Sequence, residues 1–496
     1  MNEIKSEALL VNPASRSISD RPPLHFMYMA SYNEMLGIPT NIVDVKALKR
    51  EAKQEIEDRI IDEISKSGAK IVGFTCTTPE ITEVKRLATR TKEVLGKDVI
   101  TVVGGIHATV LPEELIMNSD IDFALTGEAE KTFAELSTTE NPFSVKGLVY
   151  EKNNEITNTG SHELMDLKEM PPLDYSKIDM DFYTKPSMYV IRGIPLSGFY
   201  LFTSRGCSFK CTYCANPTMF GNTIRYFPTE KIADELETLN KKYKVDSVFF
   251  YDDTFTMDRN HVRNLCNELL NRDIHMLWGC QTRANMVDKE LLLLMKKAGC
   301  VQMEFGIESG SDKVLRRVKK GVSPQQVKDT FKVCKSVGVK TFANFMFNLP
   351  DETIEDLEMT LNLAREIKPE VSIFNITIPF PGSPMQGEFR MNPDDYEKFN
   401  NFNYEEMVKF INEKYKLASY DESLMELEKK IVSEFPSIHG IKVNRKTAGI
   451  LWSNVKFLLS AQYLNMFARS QRKNDYIKFG LNFGRYLKKL ERSYSS

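Results

Sequence analysis

The feature that most constrains this chain is a group of three cysteines, Cys207, Cys211 and Cys214. Their C-x3-C-x2-C spacing places three thiols close together, whereas the other cysteines of the 496-residue chain are scattered singly. Three such thiolates can hold an iron–sulfur cube by three of its irons and leave the fourth iron without a protein ligand. A structural zinc site is the chemical alternative, but it needs four ligands, usually in two separated pairs, and the sequence has no second pair.

The run from Arg205 to Cys214, with Tyr213 directly before the third cysteine, resembles the signature of the radical S-adenosylmethionine (SAM) enzymes. The resemblance implies that Cys207, Cys211 and Cys214 are the catalytic and metal-binding residues, because they would hold a [4Fe-4S] cluster. The open iron would bind the amino and carboxylate groups of SAM, and one electron from the cluster would cleave SAM to methionine and a 5′-deoxyadenosyl radical. An electron donor such as a flavodoxin or ferredoxin is the implied partner.

The first 140 residues alternate apolar, β-rich runs with helical patterns, which predicts a parallel sheet covered on both faces. The predicted strands are 8–11, 40–44, 70–74, 99–103 and 123–125, and the predicted helices lie near 50–67 and 79–95. Ligands of open α/β sheets bind beyond the carboxyl ends of the strands. The loops at those ends contain Thr77, Gly104, Gly105, His107, Gly127 and Glu128.

These loops resemble the Rossmann-like, flavodoxin-like cobalamin-binding domain that precedes the radical core in one branch of the superfamily. The resemblance rests on Pro22-Pro23-Leu24, on the run from Gly104 to Glu113 and on the run from Thr126 to Glu130. It implies cobalamin-binding roles for Thr77, Gly104, Gly105, His107, Gly127 and Glu128, with His107 lining the pocket rather than ligating metal. The loop after the first strand lacks the Asp-x-His-x-x-Gly sequence, so we expect no such histidine below cobalt. A merely structural flavodoxin-like domain is the alternative.

After a predicted hairpin and a proline-stiffened linker, the βα alternation resumes near Phe199 and repeats six times. This predicts a partial (β/α)6 TIM barrel, in which chemistry gathers at the carboxyl ends of the strands. The cysteine loop follows the first predicted strand of this barrel. The predicted domain boundaries are 1–140 for the cobalamin domain, 141–195 for the hairpin and linker, 196–390 for the barrel and 391–496 for a helical C-terminal domain.

Further loops of the predicted barrel resemble the family's SAM-binding segments. Asp252 and Asp253 follow the second strand, where a carboxylate would accept a hydrogen bond from the amino group of SAM. Arg283 follows the third strand and could meet a carboxylate, and Glu308 follows the fourth, where it would accept from the ribose hydroxyls. The adjacent Ser309 is included in the same predicted SAM-binding set.

The C-terminal end differs from the rest of the chain in charge. Twelve lysines and arginines stand against two acids after Gly440, so a chain with a net charge of −2 has a strongly basic end. Apolar residues from Leu451 to Phe467 recur at helical spacing, but the uncharged run is too short to span a bilayer. The segment is interpreted as a helix that caps the barrel, with an interfacial helix on anionic lipid as the alternative. A cytoplasmic location is expected, because the N-terminus has no signal-like run, with a location peripheral to a membrane as the alternative.

The resemblance covers roughly residues 5–390 and implies a cobalamin-dependent radical SAM enzyme that methylates an unactivated carbon. One SAM would methylate reduced cobalamin, a second would give the adenosyl radical, and the substrate radical would take the methyl group from methylcobalamin. The alternative is oxidative cyclisation or carbon–carbon bond formation on a lipid or tetrapyrrole without methyl transfer. A non-catalytic cobalamin or redox carrier is a third possibility, which the intact cysteine group argues against. The sequence does not disclose the organic substrate, and a nucleic acid is not expected as a partner.

Overall fold

The computed structural model of the protein describes residues 8–13, 21–46, 53–435 and 457–482. Two compact units form: the chain up to Phe182 with Cys214–Thr223 and Pro379–Asn401, and Tyr183–Tyr213 with Ile224–Ile378 and the chain from Phe402 onward. The domain boundaries expected from the sequence stay predictions, because each unit contains separate stretches of the chain.

The first unit is built on one sheet. Its strands are β1 (Ala8–Asn12), β2 (Thr40–Asp44), β3 (Ile71–Thr75), β4 (Ile100–Gly104), β5 (Phe123–Leu125), β6 (Leu148–Lys152) and β7 (Glu155–Asn158). They lie in the order β2-β1-β3-β4-β5-β6-β7. The first five strands are parallel, which confirms the predicted parallel sheet, with each predicted strand within one residue of its observed position. The predicted hairpin supplies β6 and β7, which extend the sheet by antiparallel pairing.

Both faces of this sheet are apolar, as expected for parallel strands covered on two sides. Neighbouring residues of one strand enter opposite cores: Leu9 belongs to one buried cluster and Leu10 to the other. The covering helices are α1 (Leu24–Met35), α2 (Lys53–Ser67), α3 (Ile81–Leu95), α4 (Ile106–Val110), α5 (Pro112–Ile116) and α6 (Glu130–Thr138). The sequence pattern missed α1 because its buried residues lie on most of its faces, so the one-sided helical period is absent.

The second unit contains a sheet of six parallel strands. The strands of this part of the chain are β8 (Gly198–Leu201), β9 (Ser204–Arg205), β10 (Arg225–Tyr226), β11 (Ser247–Phe250), β12 (Leu277–Thr282), β13 (Cys300–Glu308), β14 (Lys340–Phe347) and β15 (Val371–Ile376). The large sheet has the order β8-β11-β12-β13-β14-β15, which confirms the predicted open six-stranded barrel. The two-residue strands β9 and β10 form a separate antiparallel ribbon that was not predicted.

Helices follow most strands of the barrel. The remaining helices are α7 (Met180–Tyr183), α8 (Asn216–Phe220), α9 (Thr229–Lys241), α10 (Arg259–Asn271), α11 (Lys289–Lys297), α12 (Asp312–Arg317), α13 (Pro324–Val337), α14 (Ile354–Ile367), α15 (Tyr396–Asn401), α16 (Tyr404–Lys414), α17 (Leu424–Glu434), α18 (Ala461–Arg469) and α19 (Lys473–Leu481). Short polar side chains begin several of them: Ser323 and Thr353 form capping boxes at α13 and α14.

The amino-terminal face of the barrel is covered by the C-terminal helices. Asp246, which directly precedes β11, accepts hydrogen bonds from the hydroxyls of Ser470 at 2.7 Å and Tyr476 at 2.8 Å. Tyr463 and Met466 of α18 are buried. These contacts agree with the interpretation of this segment as a cap, and they place the cap at the face opposite the carboxyl ends of the strands.

The expected single helix over Leu451 to Phe467 is wrong in its described part. Ser460 caps α18 by accepting a hydrogen bond from the Tyr463 amide, so a new helix begins there. Leu451 and Val455 lie outside the described residues. No helix in the described part of the chain is long and apolar enough to cross a membrane.

Candidate functional site

The cysteine loop starts where the short strand β9 ends at Arg205. Gly206 has a φ of +96°, a conformation that favours glycine, and turns the chain into the loop. Cys211 is buried, while Cys207 and Cys214 are partly exposed. Sγ of Cys207 lies 3.7 Å from the hydroxyl of Thr254. The loop therefore follows the first barrel strand, as predicted.

Arg283 places a buried cation beside this loop. It follows β12, is only 4% exposed, and its Nη1 donates to Sγ of Cys211 at 3.5 Å. Its guanidinium carbon lies 3.5 Å from the centroid of the Phe209 ring. Nε and Nη2 have no hydrogen-bond partner among the described residues. Two unused donors on a buried guanidinium are costly, so this side chain is suited to a bound anion such as a carboxylate.

Glu308, the last residue of β13, forms a buried ion pair. Its Oε1 accepts from Nζ of Lys320 at 2.8 Å and from the hydroxyl of Tyr213 at 3.0 Å. Burial raises the pKa of Tyr213 well above its usual range, so this hydroxyl stays protonated and donates. Glu308 has a φ of +68°, which costs a residue with a side chain about 1 to 2 kcal/mol.

The two candidate carboxylates after β11 differ in their surroundings. Asp252 is fully buried and accepts from the Thr203 amide at 2.6 Å, from the Ser204 hydroxyl at 2.8 Å and from the Thr203 hydroxyl. Burial raises the pKa of Asp252 to about 6, although these donors oppose the shift. Asp253 is exposed. Asp252 therefore holds the chain after β8 in place, whereas Asp253 lies at the surface.

The hydroxyl of Ser309 forms its hydrogen bonds within the protein. It lies 3.0 Å from that of Thr360 and accepts from the Ser311 amide at 3.1 Å. The side chain is fully buried and secures the start of α12 against α14. Its expected contact with SAM stays a prediction, which the observed side-chain contacts do not favour.

In the first unit, Thr77, Gly104 and Gly105 lie together at the carboxyl ends of β3 and β4. Thr77 is exposed, and both its amide and its hydroxyl bind Glu80, at 2.8 and 2.7 Å. Among the described residues, a Cβ atom added at Gly104 would meet nothing nearer than Cβ of Leu125, at 4.0 Å. At Gly105, where φ is +99°, it would lie 2.8 Å from the carbonyl oxygen of Cys76. Open space therefore borders Gly104, whereas the expected space beside Gly105 is already filled by the backbone of Cys76.

Gly127 and Glu128 follow β5 at the same edge. Gly127 has a φ of +69°, and the one described atom within 4 Å of an added Cβ would be the Met219 carbonyl oxygen, at 4.0 Å. Its amide donates to the Thr109 hydroxyl at 3.0 Å. Glu128 accepts from the Met165 amide at 3.2 Å. The edge of the sheet therefore has open space at Gly104 and Gly127, where a flat ligand can approach the backbone.

His107 lies behind this edge rather than on it. Its side chain is fully buried, with Nδ1 3.2 Å from the Thr78 hydroxyl and Nε2 3.3 Å from a carboxylate oxygen of Glu114. The ring of Tyr396 packs against it edge to face. Because protein atoms enclose the imidazole, it does not line an open pocket of this unit, contrary to the sequence expectation.

Sequence reasoning missed Lys320 and the hydroxyls of Thr203 and Ser204. Lys320 belongs to the basic run 316–320, which reads as a solvated helix end, so nothing in the pattern marks it as buried. Thr203 and Ser204 directly precede the cysteine loop, and only the fold brings them to Asp252.

The residues present fit the implied cofactors. Three thiols in one loop suit an iron–sulfur cube, and the unpartnered donors of Arg283 suit the carboxylate of SAM. The open space at Gly104 and Gly127 suits a corrin. Within the described residues, no three cysteine, histidine or carboxylate side chains converge on a point where one metal ion would sit; in a cube, each thiolate binds a different iron.

The other five cysteines are all buried. Burial raises the pKa values of the Cys76, Cys266, Cys280 and Cys334 thiols. They remain protonated and behave as small apolar side chains, as expected from their isolated positions.

Two protein families match this chain. Residues 201–364 match the radical SAM superfamily, and residues 16–137 match the B12 binding domain. The first match contains the cysteine loop, Arg283 and Glu308, and the second contains the glycine-lined edge.

Individual relatives cover most of the chain. An uncharacterized methyltransferase of Pyrococcus horikoshii is 30% identical, over 76% of this chain and 81% of that protein. The anaerobic magnesium-protoporphyrin IX monomethyl ester cyclase of Rubrivivax gelatinosus is also 30% identical, over 76% of this chain and 68% of the cyclase. The structure of the radical SAM methyltransferase TsrM from Kitasatospora setae, with cobalamin and a [4Fe-4S] cluster bound, shares the fold with a TM-score of 0.64 at 19% identity, over 77% of this chain and 74% of TsrM.

Proposed function

Because this chain belongs to the radical SAM superfamily and carries a B12 binding domain, we propose that it is a cobalamin-dependent methyltransferase acting on an unactivated carbon. It is a radical SAM enzyme, and its cofactors are a [4Fe-4S] cluster, SAM and cobalamin. One observation carries the proposal. The same chain contains the cysteine loop and, in its first unit, a sheet whose carboxyl edge is open at Gly104 and Gly127.

The bound cofactors supply a 5′-deoxyadenosyl radical and a transferable methyl group. The chain's own residues hold and orient them. Cys207, Cys211 and Cys214 provide three thiolates, and the guanidinium of Arg283 provides two unused donors for the SAM carboxylate. The exposed Asp253 offers an acceptor to the SAM amino group.

Glu308 is proposed to accept hydrogen bonds from the ribose of SAM through Oε2. Among the described residues this oxygen has no partner, since Tyr213 and Lys320 both contact Oε1. At the edge of the first sheet, Thr77, Gly104, Gly105, Gly127 and Glu128 are proposed to surround cobalamin. His107 supports this edge from behind.

Product analysis tests the proposal. The reconstituted enzyme would be incubated with trideuteromethyl-labelled SAM and a small-molecule extract from a strain lacking the gene. Methyl transfer predicts one 5′-deoxyadenosine and one S-adenosylhomocysteine per product, and a product that carries the labelled methyl group. Formation of 5′-deoxyadenosine with an unlabelled product and no S-adenosylhomocysteine would contradict it.

The Cys207→Ala, Cys211→Ala and Cys214→Ala variants are the matched controls for this experiment. Each should lose cluster absorbance and 5′-deoxyadenosine formation, because each removes one iron ligand. Cys334→Ala removes a buried thiol elsewhere and should retain both. Full iron and sulfide content in the triple variant would contradict the assignment of the cluster.

Oxidative cyclisation is the second candidate, favoured by the similarity to the Rubrivivax gelatinosus cyclase. In the same experiment it predicts a dehydrogenated or ring-closed product without label. An electron donor and an organic substrate are required in either case. A flavodoxin or ferredoxin is the donor class that we propose, and a lipid is one proposed class of substrate.

A further inference from the structure

Lys320 is a buried lysine to which no sequence motif gives a role. It lies after α12 and is 4% exposed. Its Nζ lies 2.8 Å from Oε1 of Glu308 and 3.2 Å from the hydroxyl of Tyr213. A buried ammonium is unfavourable unless it is paired, and these two groups pair it.

The backbone makes room for this pair. At Gly306, two residues before Glu308 on β13, an added Cβ would lie 2.6 Å from Oε1 of Glu308 and 2.9 Å from Nζ of Lys320. The ion pair therefore rests directly on a strand that carries no side chain at this point. Any residue other than glycine at 306 would displace one of the two charged groups.

The chain just before Lys320 also contacts the cysteine loop. The amide of Thr212 donates to the carbonyl oxygen of Val318 at 3.0 Å, and the Tyr213 ring packs against the cluster formed by Val314, Val318 and Leu349. Tyr213 stands directly before Cys214 and also donates to Glu308. The loop that carries the cysteines and the carboxylate at the end of β13 are thus joined through Lys320 and Tyr213.

We propose that Lys320 is a positioning residue for SAM: it holds Glu308 through Oε1, so that only Oε2 is offered to the ribose hydroxyls. This inference rests on the proposed role of Glu308. Without Lys320, Glu308 keeps one donor, Tyr213, and its strained left-handed backbone is no longer fixed by a charge. The carboxylate then turns away from the ribose, while the cysteines keep their places through the Thr212 bond.

Lys320→Met tests this proposal, with the neighbouring Lys319→Met as the matched control, because Lys319 is exposed. Gly306→Ala displaces the pair without removing a charge, and Lys320→Arg restores the charge with a longer side chain. For each reconstituted variant, the iron content and the dissociation constants of SAM and of a SAM analogue lacking both ribose hydroxyls would be measured without turnover.

We expect the wild type and Lys319→Met to prefer SAM over the analogue by roughly ten- to hundredfold, the strength of hydrogen bonds to a charged group. In Lys320→Met this ratio should fall towards one with the iron content unchanged. Gly306→Ala should lower the ratio in part, and Lys320→Arg should restore part of it. An unchanged ratio in Lys320→Met, or a drop in affinity that is equal for both ligands, would overturn the proposal.

Glu308→Gln distinguishes two ways in which the experiment can fail: Lys320 does not position Glu308, or Glu308 does not bind the ribose. If the ratio falls in Glu308→Gln but not in Lys320→Met, Glu308 contacts the ribose and Lys320 does not position it. If neither variant changes the ratio, Glu308 is not the ribose acceptor. Both outcomes are independent of whether the enzyme transfers a methyl group.

Discussion

Nη1 of Arg283 lies 3.5 Å from Sγ of Cys211, so a buried guanidinium faces a thiolate that is proposed to bind iron. Its Nε and Nη2 remain without partners among the described residues. One side chain can therefore contact the cluster ligand and the carboxylate of SAM at once.

Arg283→Met should weaken SAM binding by about ten- to hundredfold, because charge-assisted hydrogen bonds of about 1.5 to 3 kcal/mol are lost. The cluster should also become harder to reduce, since a cation and a hydrogen bond to sulfur both stabilise the reduced, more negative state. Isothermal titration with SAM and a redox titration followed by electron paramagnetic resonance measure the two effects. Arg316→Met, at an exposed arginine of α12, is the control. Unchanged affinity and potential would rule out both roles.

Gly104 and Gly105 should respond differently to substitution. Gly104→Leu extends into open space and should weaken cobalamin binding without changing the melting temperature. Gly105→Ala forces a Cβ to 2.8 Å from the Cys76 carbonyl oxygen and places alanine at a φ of +99°, so it should lower the melting temperature. Cobalamin content after reconstitution and thermal unfolding of the apoprotein distinguish the two. Full cobalamin content in Gly104→Leu would place the corrin elsewhere.

Bound cobalamin should have no protein histidine or lower base on cobalt. The described edge presents glycines and Thr77, and His107 is enclosed behind it. The electron paramagnetic resonance spectrum of the cob(II)alamin form should therefore lack the hyperfine triplet of an axial nitrogen. A spectrum that shows the triplet, and loses it in His107→Ala, would contradict the placement of His107.

Glu352 should make stability depend on pH. It is fully buried, accepts from the Tyr420 hydroxyl and the Leu349 amide, and burial raises its pKa to about 7. The protonated form is favoured in the folded state, so this contribution to stability is complete below the unfolded pKa near 4.5 and is lost as the pH rises through about 7.

The urea midpoint of the wild type should therefore fall between about pH 5 and pH 8, relative to that of Glu352→Gln, which cannot ionise. The shift corresponds to a few kcal/mol, since each pKa unit is worth about 1.4 kcal/mol. Parallel pH profiles for the two proteins would show that Glu352 is ionised in the folded state throughout.

Truncation after Gly440 should destabilise the barrel. It removes Ser470 and Tyr476, the two hydroxyl donors to Asp246, and burial already raises the pKa of this carboxyl. Leaving a buried carboxylate without donors costs about 1 to 3 kcal/mol for each lost partner. Tyr476→Phe should lower the melting temperature less than the truncation does. An unchanged melting temperature in the truncated protein would contradict the cap.

Peripheral binding to anionic lipid by the same segment is tested separately. Leu464, Ile477 and Leu481 of α18 and α19 are exposed, and each nearby basic residue contributes about 1 kcal/mol at an anionic surface. Ile477→Ser with Leu481→Ser should leave the cap intact but reduce sedimentation with phosphatidylserine vesicles at low salt. If the wild type does not sediment with such vesicles, the segment covers the barrel but does not bind anionic lipid.

The sequence by itself determined that the chain forms two sheets of parallel strands, where those strands lie in the chain and where the cysteine loop begins. These features depend on local signals: runs of β-branched residues, helical periods and the spacing of three cysteines. It did not separate Asp252 from Asp253, because adjacent carboxylates look equivalent until one is buried beneath Thr203 and Ser204. The sequence also did not reveal α1. Because this helix is buried on most of its faces, its apolar residues do not recur at the spacing of a one-sided helix.

Only the tertiary structure decided which charged and polar side chains are enclosed. Lys320 contacts Glu308 and Tyr213, and Arg283 contacts Cys211. His107 is buried behind the sheet edge that it was expected to line. Burial and pairing depend on residues distant in sequence, which a local pattern does not contain. The requirement for glycine at position 105 also depends on a residue distant in sequence. The atoms that leave no room for a side chain there belong to the backbone of Cys76, in the loop after β3.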